Sequence, residues 1–365
     1  MPATGVLPRT RPSRAAGPAD RTCRAAGLAS ARRHRYHPAV PPSQEFSRVS
    51  SSPPVAVIGC GQWGRNHVRT LAELGALGAV CDHNPEKASA LALAHGGRVA
   101  TTDAILADPA VAGIVLALPA EQNADLACAA LEAGKHVLVE KPIALTVADA
   151  ERMIESARRN DRVLLVGHVL RYHTAFDALV AALEAGRIGA PRHIQSHRLG
   201  FGKFYDRFDA LWDLAPHDLS LVLSLVEGGP TQVDVVPVSV TDGQADMAHV
   251  HLRFGAGPSA HVFVSRHSAY AERRFAVTGE TGTLVWDDLA DWPDKLSVVP
   301  HTVARAQNGR WTWAQGEAEP IAVAPGMALT DELRHFLDCI TGRTAPLTPG
   351  RQGLDIVRIL TAGGG

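Results

Sequence analysis

The run Val55-Ala56-Val57-Ile58-Gly59-Cys60-Gly61-Gln62-Trp63-Gly64 constrains this chain more than any other stretch. Four apolar residues lead into G-x-G-x-x-G, and a helical pattern follows to about Leu74. The order is strand, tight turn, helix. Gly59 permits the turn, Gly61 lets the backbone approach a pyrophosphate, and Gly64 lets the helix pack closely on the strand. The helix N-terminus then faces the phosphates. A second apolar run, Leu77 to Cys81, ends in Asp82, 18 residues beyond Gly64, where a carboxylate can bond ribose hydroxyls. That carboxylate repels an additional 2′-phosphate, and His83 and Asn84 follow it rather than an arginine, so NAD is expected in preference to NADP.

With 365 residues the chain has room for two domains, each with its own core. No apolar run is long enough to cross a bilayer, so a soluble protein without a membrane partner is expected. Cys23, Cys60, Cys81, Cys128 and Cys339 are scattered, with no C-x-x-C pair and no zinc-ligand spacing. They read as small buried hydrophobes in a reducing, cytoplasmic compartment, and no metal is expected. Residues 1–50 hold nine arginines against only Asp20 and Glu45, which leaves a body of net charge −8. An acidic body argues against nucleic acid as a partner. The leader, residues 1–52, lacks apolar periodicity and is expected to be disordered. It reads either as a translated stretch ahead of the true start or as an organelle transit peptide.

From Val55 to about Val169 apolar strands alternate with helical patterns, with strands near Gly113–Pro119, His136–Lys141 and Val163–Val169 and helices near Asn123–Gly134 and Thr146–Asn160. This texture predicts a doubly wound parallel sheet over residues 53–170. After a helix around Ala175–Gly186, runs such as Ala248–Phe254 and Ala260–Ser265 alternate apolar and polar residues, which predicts a second, α+β domain over residues 171–342 built on a largely antiparallel sheet with one open face. Late helices are expected at Leu329–Ile340 and Leu354–Leu360, the second belonging to a C-terminal segment, residues 343–365.

Two elements carry chemistry. Glu140-Lys141-Pro142 puts a lysine at the carboxyl edge of the parallel sheet, where doubly wound folds bind ligands. Asp213 and His217 lie four residues apart ahead of the apolar run Leu221–Val226. Pro216 predicts that the helix proper starts near residue 216, with Asp213 in its approach. A histidine can take a hydroxyl proton near neutral pH, and a carboxylate can orient it. The stretch His193–Arg207 mixes His197, Arg198, Lys203 and Arg207 with Phe201, Phe204 and Tyr205. Read as a loop, it suits a diphosphate and a uracil ring, or is simply a solvated segment.

Taken in order, strand–G-x-G-x-x-G–helix, Asp82, Glu140-Lys141-Pro142 and Asp213-x-x-x-His217 resemble the Gfo/Idh/MocA oxidoreductases over about residues 53–342. Gly61-Gln62-Trp63-Gly64-Arg65-Asn66, Val166-Gly167-His168 and Ala215-Pro216-His217-Asp218 further resemble the nucleotide-sugar 3-dehydrogenases of that family. The resemblance implies a Rossmann domain plus an open-faced sheet domain, and homo-oligomers that pair through that sheet. It implies that Lys141, His217 and Asp213 form the catalytic group. Gly59, Gly61, Gln62, Trp63, Gly64, Asp82, Pro119, Glu140 and Lys141 then hold NAD, and Arg171, Tyr172, His173, Arg198, Trp212 and Asp213 the substrate. The expected reaction is NAD-dependent oxidation of a sugar ring hydroxyl, most readily of a nucleotide sugar. The alternatives are an inositol or free-sugar dehydrogenase and a non-catalytic NAD-binding sensor.

Overall fold

The computed structural model describes residues 52–202, 204–205, 208–241 and 243–363. The leader up to residue 51, Cys23, Lys203 and Arg207 lie outside the described residues.

The first domain alternates β1 (Val55–Ile58), α1 (Gln62–Glu73), β2 (Leu77–Cys81), α2 (Pro85–His95), β3 (Arg98–Val99), α3 (Thr102–Ala107), β4 (Gly113–Leu116), α4 (Asn123–Glu132), β5 (His136–Glu140), α5 (Val147–Arg159) and β6 (Leu164–Gly167). The strands form one parallel sheet in the order β3-β2-β1-β4-β5-β6. Helices cover both faces, so β1 and β4 are buried along their whole length and read as unbroken apolar runs. The strand order reverses between β1 and β4. The crevice beyond their carboxyl ends is the switch point where such sheets take ligands.

The second domain runs through α6 (Thr174–Glu184), β7 (Pro191–Phe201), α7 (Ala210–Leu225), β8 (Gln232–Val238), β9 (Met247–Arg253), β10 (Ser259–Ser265), β11 (His267–Gly279), β12 (Gly282–Asp287), β13 (Leu296–Arg305), β14 (Trp311–Gln315) and β15 (Glu319–Pro320). The strands join in the order β14-β13-β12-β11-β7-β10-β9-β8, with β15 on β13. All pairings are antiparallel except β7 with β10. The inner face, with Ile194, Val250, Val262, Phe275 and Val277, shares one core with α6 and α7. The outer face carries stacked rings instead, His249 on Phe263 at 4.2 Å and His251 on His261 at 4.4 Å.

Two late helices, α8 (Ala328–Ile340) and α9 (Gly350–Thr361), return to the first sheet. Leu333 and Phe336 of α8 pack with Val55, Leu71 and Val115. In α9, Leu354 and Val357 face the first domain while Ile356 and Ile359 enter the core of the second. One helix thus contributes to both cores and fixes the cleft between them.

Two local expectations are corrected. Residues 191–201 form a central strand, not a loop. Its inward positions include Ser196 and Arg198, both bonded to the buried carboxylate of Asp218, so the apolar alternation that marks a half-buried strand is missing. The helix expected from Pro216 begins at Ala210, with the side chain of Asp209 accepting the Trp212 N–H at 2.8 Å as N-cap. Pro216 sits inside α7 and removes a single backbone donor, which the apolar packing of Leu211, Ala215 and Leu219 outweighs. Asp213 therefore lies in the first turn of the same helix as His217.

Candidate active site

The glycine turn has the dimensions the sequence requires. Gly59 has φ +102°, and a Cβ there would lie 2.9 Å from the carbonyl carbon of Ala117. A Cβ on Gly64 would lie 2.7 Å from the carbonyl carbon of Gly59, so neither position admits a side chain. Gly61 differs: nothing lies within 4 Å of where its Cβ would be, which leaves the backbone open to a ligand. The start of α1 has no side-chain cap and no acidic residue in its first turn. Its N–H groups are free for a phosphate. Asp82, at the end of β2, accepts the N–H of Cys60 at 2.6 Å and that of Asn84 at 2.8 Å. Burial pushes its carboxyl up, but those two N–H donors and the neighbouring His83 and Lys87 hold it below the usual carboxylate range. It is an anion fixed beside the turn, at the place where a ribose hydroxyl donor fits. Gln62 and Trp63 are exposed on the rim of the crevice, and Pro119 precedes the short helical turn after β4. These residues fit a dinucleotide.

The second cluster gathers where β5 meets α7. Glu140 is buried, and its Oε1 lies 2.7 Å from Nε2 of His67 on α1. Its other oxygen accepts the backbone N–H of Lys141 at 3.2 Å. Asn123 donates to the carbonyl of Pro142 at 3.2 Å. Glu140 thereby fixes the turn that presents Lys141. The lysine Nζ donates to Asp213 Oδ1 at 3.0 Å and to the Asp213 carbonyl at 2.7 Å. The other carboxylate oxygen of Asp213 takes Arg266 Nη2 at 3.1 Å. Burial raises the Asp213 carboxyl, but the two cations prevail and keep it below its ordinary value. His217 is one turn further along α7, on the same face. Burial, Lys141 and Arg198 together push its imidazole well below the ordinary histidine value, so the ring is neutral and able to accept a proton.

Arg266 carries no motif and was not foreseen in the sequence. It follows β10, 53 residues from Asp213, and is reached only through the folded sheet. His168, just past β6, was likewise missed as a site residue. Only 1% exposed, it has no hydrogen-bond partner for either ring nitrogen among the described residues, and burial with Arg171 and Lys141 nearby lowers it to about 3.

The residues expected around the substrate divide. Trp212 packs between the two cores at the start of α7. His173 stacks on Trp292 at 5.5 Å and tilts against Trp286 at 4.8 Å. Arg171 lies over the ring of Phe176 at 5.6 Å. Tyr172 is 4% exposed, with its hydroxyl 3.4 Å from Thr348, and lies beneath the surface. Arg198 is spent on Asp218, with Nε at 2.8 Å and Nη2 at 3.0 Å in a buried fork, so it does not project from a basic loop.

A Rossmann crevice opposite a lysine, a carboxylate and a neutral histidine defines a dehydrogenase of hydroxyl groups. Residues 54–168 match a family profile described as "Oxidoreductase family, NAD-binding Rossmann fold", and residues 176–285 match the GFO/IDH/MocA C-terminal domain. The chain belongs to the Gfo/Idh/MocA oxidoreductases, a family of sugar and nucleotide-sugar dehydrogenases. It is 31% identical to UDP-N-acetylglucosamine 3-dehydrogenase of Acidithiobacillus ferrooxidans over 301 residues, 81% of this chain and 91% of the relative. A solved structure of that enzyme superposes with a TM-score of 0.73 at 27% identity, covering 85% of this chain and 95% of the other. Myo-inositol 2-dehydrogenase of Thermotoga maritima is 28% identical over 255 residues, 65% of this chain and 76% of the relative. Among the described residues no helix is long and apolar enough to cross a membrane.

Proposed function

We propose that the protein oxidises a ring hydroxyl of a nucleotide sugar to the keto-sugar, with UDP-N-acetylglucosamine at carbon 3 as the leading substrate. The observation that carries the reaction is the placement of the Lys141 ammonium against Asp213 at 3.0 Å, with neutral His217 one turn away on α7. The observation that favours the substrate is the likeness to a UDP-N-acetylglucosamine 3-dehydrogenase along most of both chains.

Gly61 and Asp82 would hold NAD, which would supply the hydride acceptor. The protein's own groups do the rest. His217 takes the proton of the hydroxyl as its carbon loses hydride, and the bond left behind becomes C=O. Lys141 donates a hydrogen bond to that oxygen and stabilises the charge that develops on it. Asp213 accepts from a sugar hydroxyl and keeps the ammonium aimed. Arg266, nearly buried at 5% side-chain exposure, holds the carboxylate from behind.

The test is NADH formation by Lys141→Met. The variant keeps NAD affinity within about twofold and loses turnover by on the order of 1000-fold. Unchanged turnover removes Lys141 from the mechanism, and equal loss of NAD binding makes its role that of holding the cofactor.

A further inference from the structure

Most charges beside α7 pair off among the described residues. Arg198 is held by Asp218. Lys295 and His173 share Asp288, at 3.4 and 3.5 Å. Arg274 turns to the other face of the sheet and bonds Asp287 at 3.0 Å. The carbonyl of Arg273 accepts the Asp288 N–H at 2.8 Å, but its guanidinium has no hydrogen bond and no ion pair among the described residues, although it lines the same cleft as Arg198, Asp218, Trp286 and Asp288.

Its position follows from the register. Arg273 shares its face of β11 with Phe275 and Val277, which are 3% and 1% exposed, so it belongs to the inner side of the sheet, above α7. Its direct cross-strand neighbour on β7 is Arg198. Two guanidinium groups opposite each other repel, and Asp218 neutralises only one of them. Arg273 reaches solvent at the cleft mouth, and its field is among those that keep His217 neutral. Trp286, also in the cleft wall, has a buried indole N–H with no acceptor among the described residues. His173 and Trp292 stack beside it as a flat aromatic surface. The wall thus offers an unpaired cation beside a ring platform.

We propose that Arg273 is the anion-binding residue of this cleft and takes phosphate oxygens of a nucleoside-diphosphate sugar while the sugar ring meets His217. Arginine suits the task because its planar fork matches phosphate oxygens two at a time. The inference deepens the proposed function and rests on it for the identity of the sugar, but the anion site itself does not depend on turnover.

The experiment is calorimetric titration of NAD-loaded wild type, Arg273→Gln and Arg273→Lys with inorganic pyrophosphate and with UDP, beside steady-state kinetics on UDP-N-acetylglucosamine. Arg273→Gln is expected to weaken both anions by on the order of 10- to 100-fold, with Arg273→Lys between it and wild type. KM for the nucleotide sugar rises in parallel while kcat moves less than about threefold, and the loss shrinks as salt is added. Equal affinity of wild type and Arg273→Gln for both anions overturns the proposal, as does failure of both to bind wild type. Turnover of UDP-N-acetylglucosamine with an unaltered KM in Arg273→Gln overturns the anion site and leaves the dehydrogenase reading standing. Anion binding that depends on Arg273, without turnover, supports the site and removes the assigned substrate. Pyrophosphate bound as tightly as UDP supports the site but assigns it to phosphates in general.

Discussion

Replacing Asp213 by asparagine tests the arrangement of charges that the candidate active site is built on. The carboxylate lies between Lys141 at 3.0 Å and Arg266 at 3.1 Å, and the two cations have side-chain exposures of only 10% and 5%. At that separation, with an effective dielectric near 20, each attraction is worth about 5 kcal/mol before the cost of leaving water. Desolvation offsets most of this, and asparagine keeps an acceptor oxygen for Lys141, so the net loss is about 3 kcal/mol at neutral pH. The pH dependence has a definite sign. The folded-state pKa of Asp213 is lower than its ordinary 3.8, so its contribution is complete well above that value and is lost as pH falls through the folded pKa. Urea unfolding of wild type and Asp213→Asn near pH 7 and near pH 3 reads both quantities. The expected gap is about 3 kcal/mol near pH 7 and smaller near pH 3. A gap below about 1 kcal/mol near neutrality, or one that persists in acid, refutes the reasoning.

Other expectations follow from the same geometry. Gly64→Ala forces a methyl group onto the Gly59 carbonyl, so NAD binding, read by calorimetry, falls at least about 100-fold, whereas an alanine at Gly61 meets no protein atom and its loss reports contact with the cofactor alone. Because His217 stays neutral well below pH 6.5, kcat/KM should not decline between about pH 8 and 6; an acid limb near 6.5 would mean that the base is unperturbed or is another group. His67→Leu leaves the buried Glu140 carboxylate without its 2.7 Å partner and should cost about 3 kcal/mol in urea unfolding, while a loss under about 1 kcal/mol would show that the pair is not needed to hold the Lys141 turn.

The parts of the site that were legible in the sequence are those made by local backbone geometry. Gly59, Gly61 and Gly64 announce themselves because the turn permits no side chain at the first and third, and Asp82 and Lys141 because both follow apolar strands at fixed places on the sheet edge. The less legible parts depend on long-range pairing. β7 carries Ser196 and Arg198 toward the interior because Asp218 on α7 meets them there, and a sequence pattern cannot distinguish a satisfied inward arginine from a solvated one. The same blindness placed Arg198 on a basic loop and hid Arg266, whose only signal is a carboxylate 53 residues away. The start of α7 was misjudged because a proline inside a helix removes one donor, whereas the Asp209 cap and the packing of the following turns contribute more.

The most direct test of the account is reduction of NAD by the purified protein given, in separate reactions, UDP-N-acetylglucosamine, its uronic-acid counterpart, myo-inositol and glucose, with Lys141→Met as the blank. The account predicts NADH formation with a nucleotide sugar and none with the blank. Reduction with inositol or glucose alone would contradict the assigned substrate, and the absence of NADH with all four, despite tight NAD binding, would contradict the assignment of Lys141 and His217 as the groups that assist hydride transfer from these sugars to NAD.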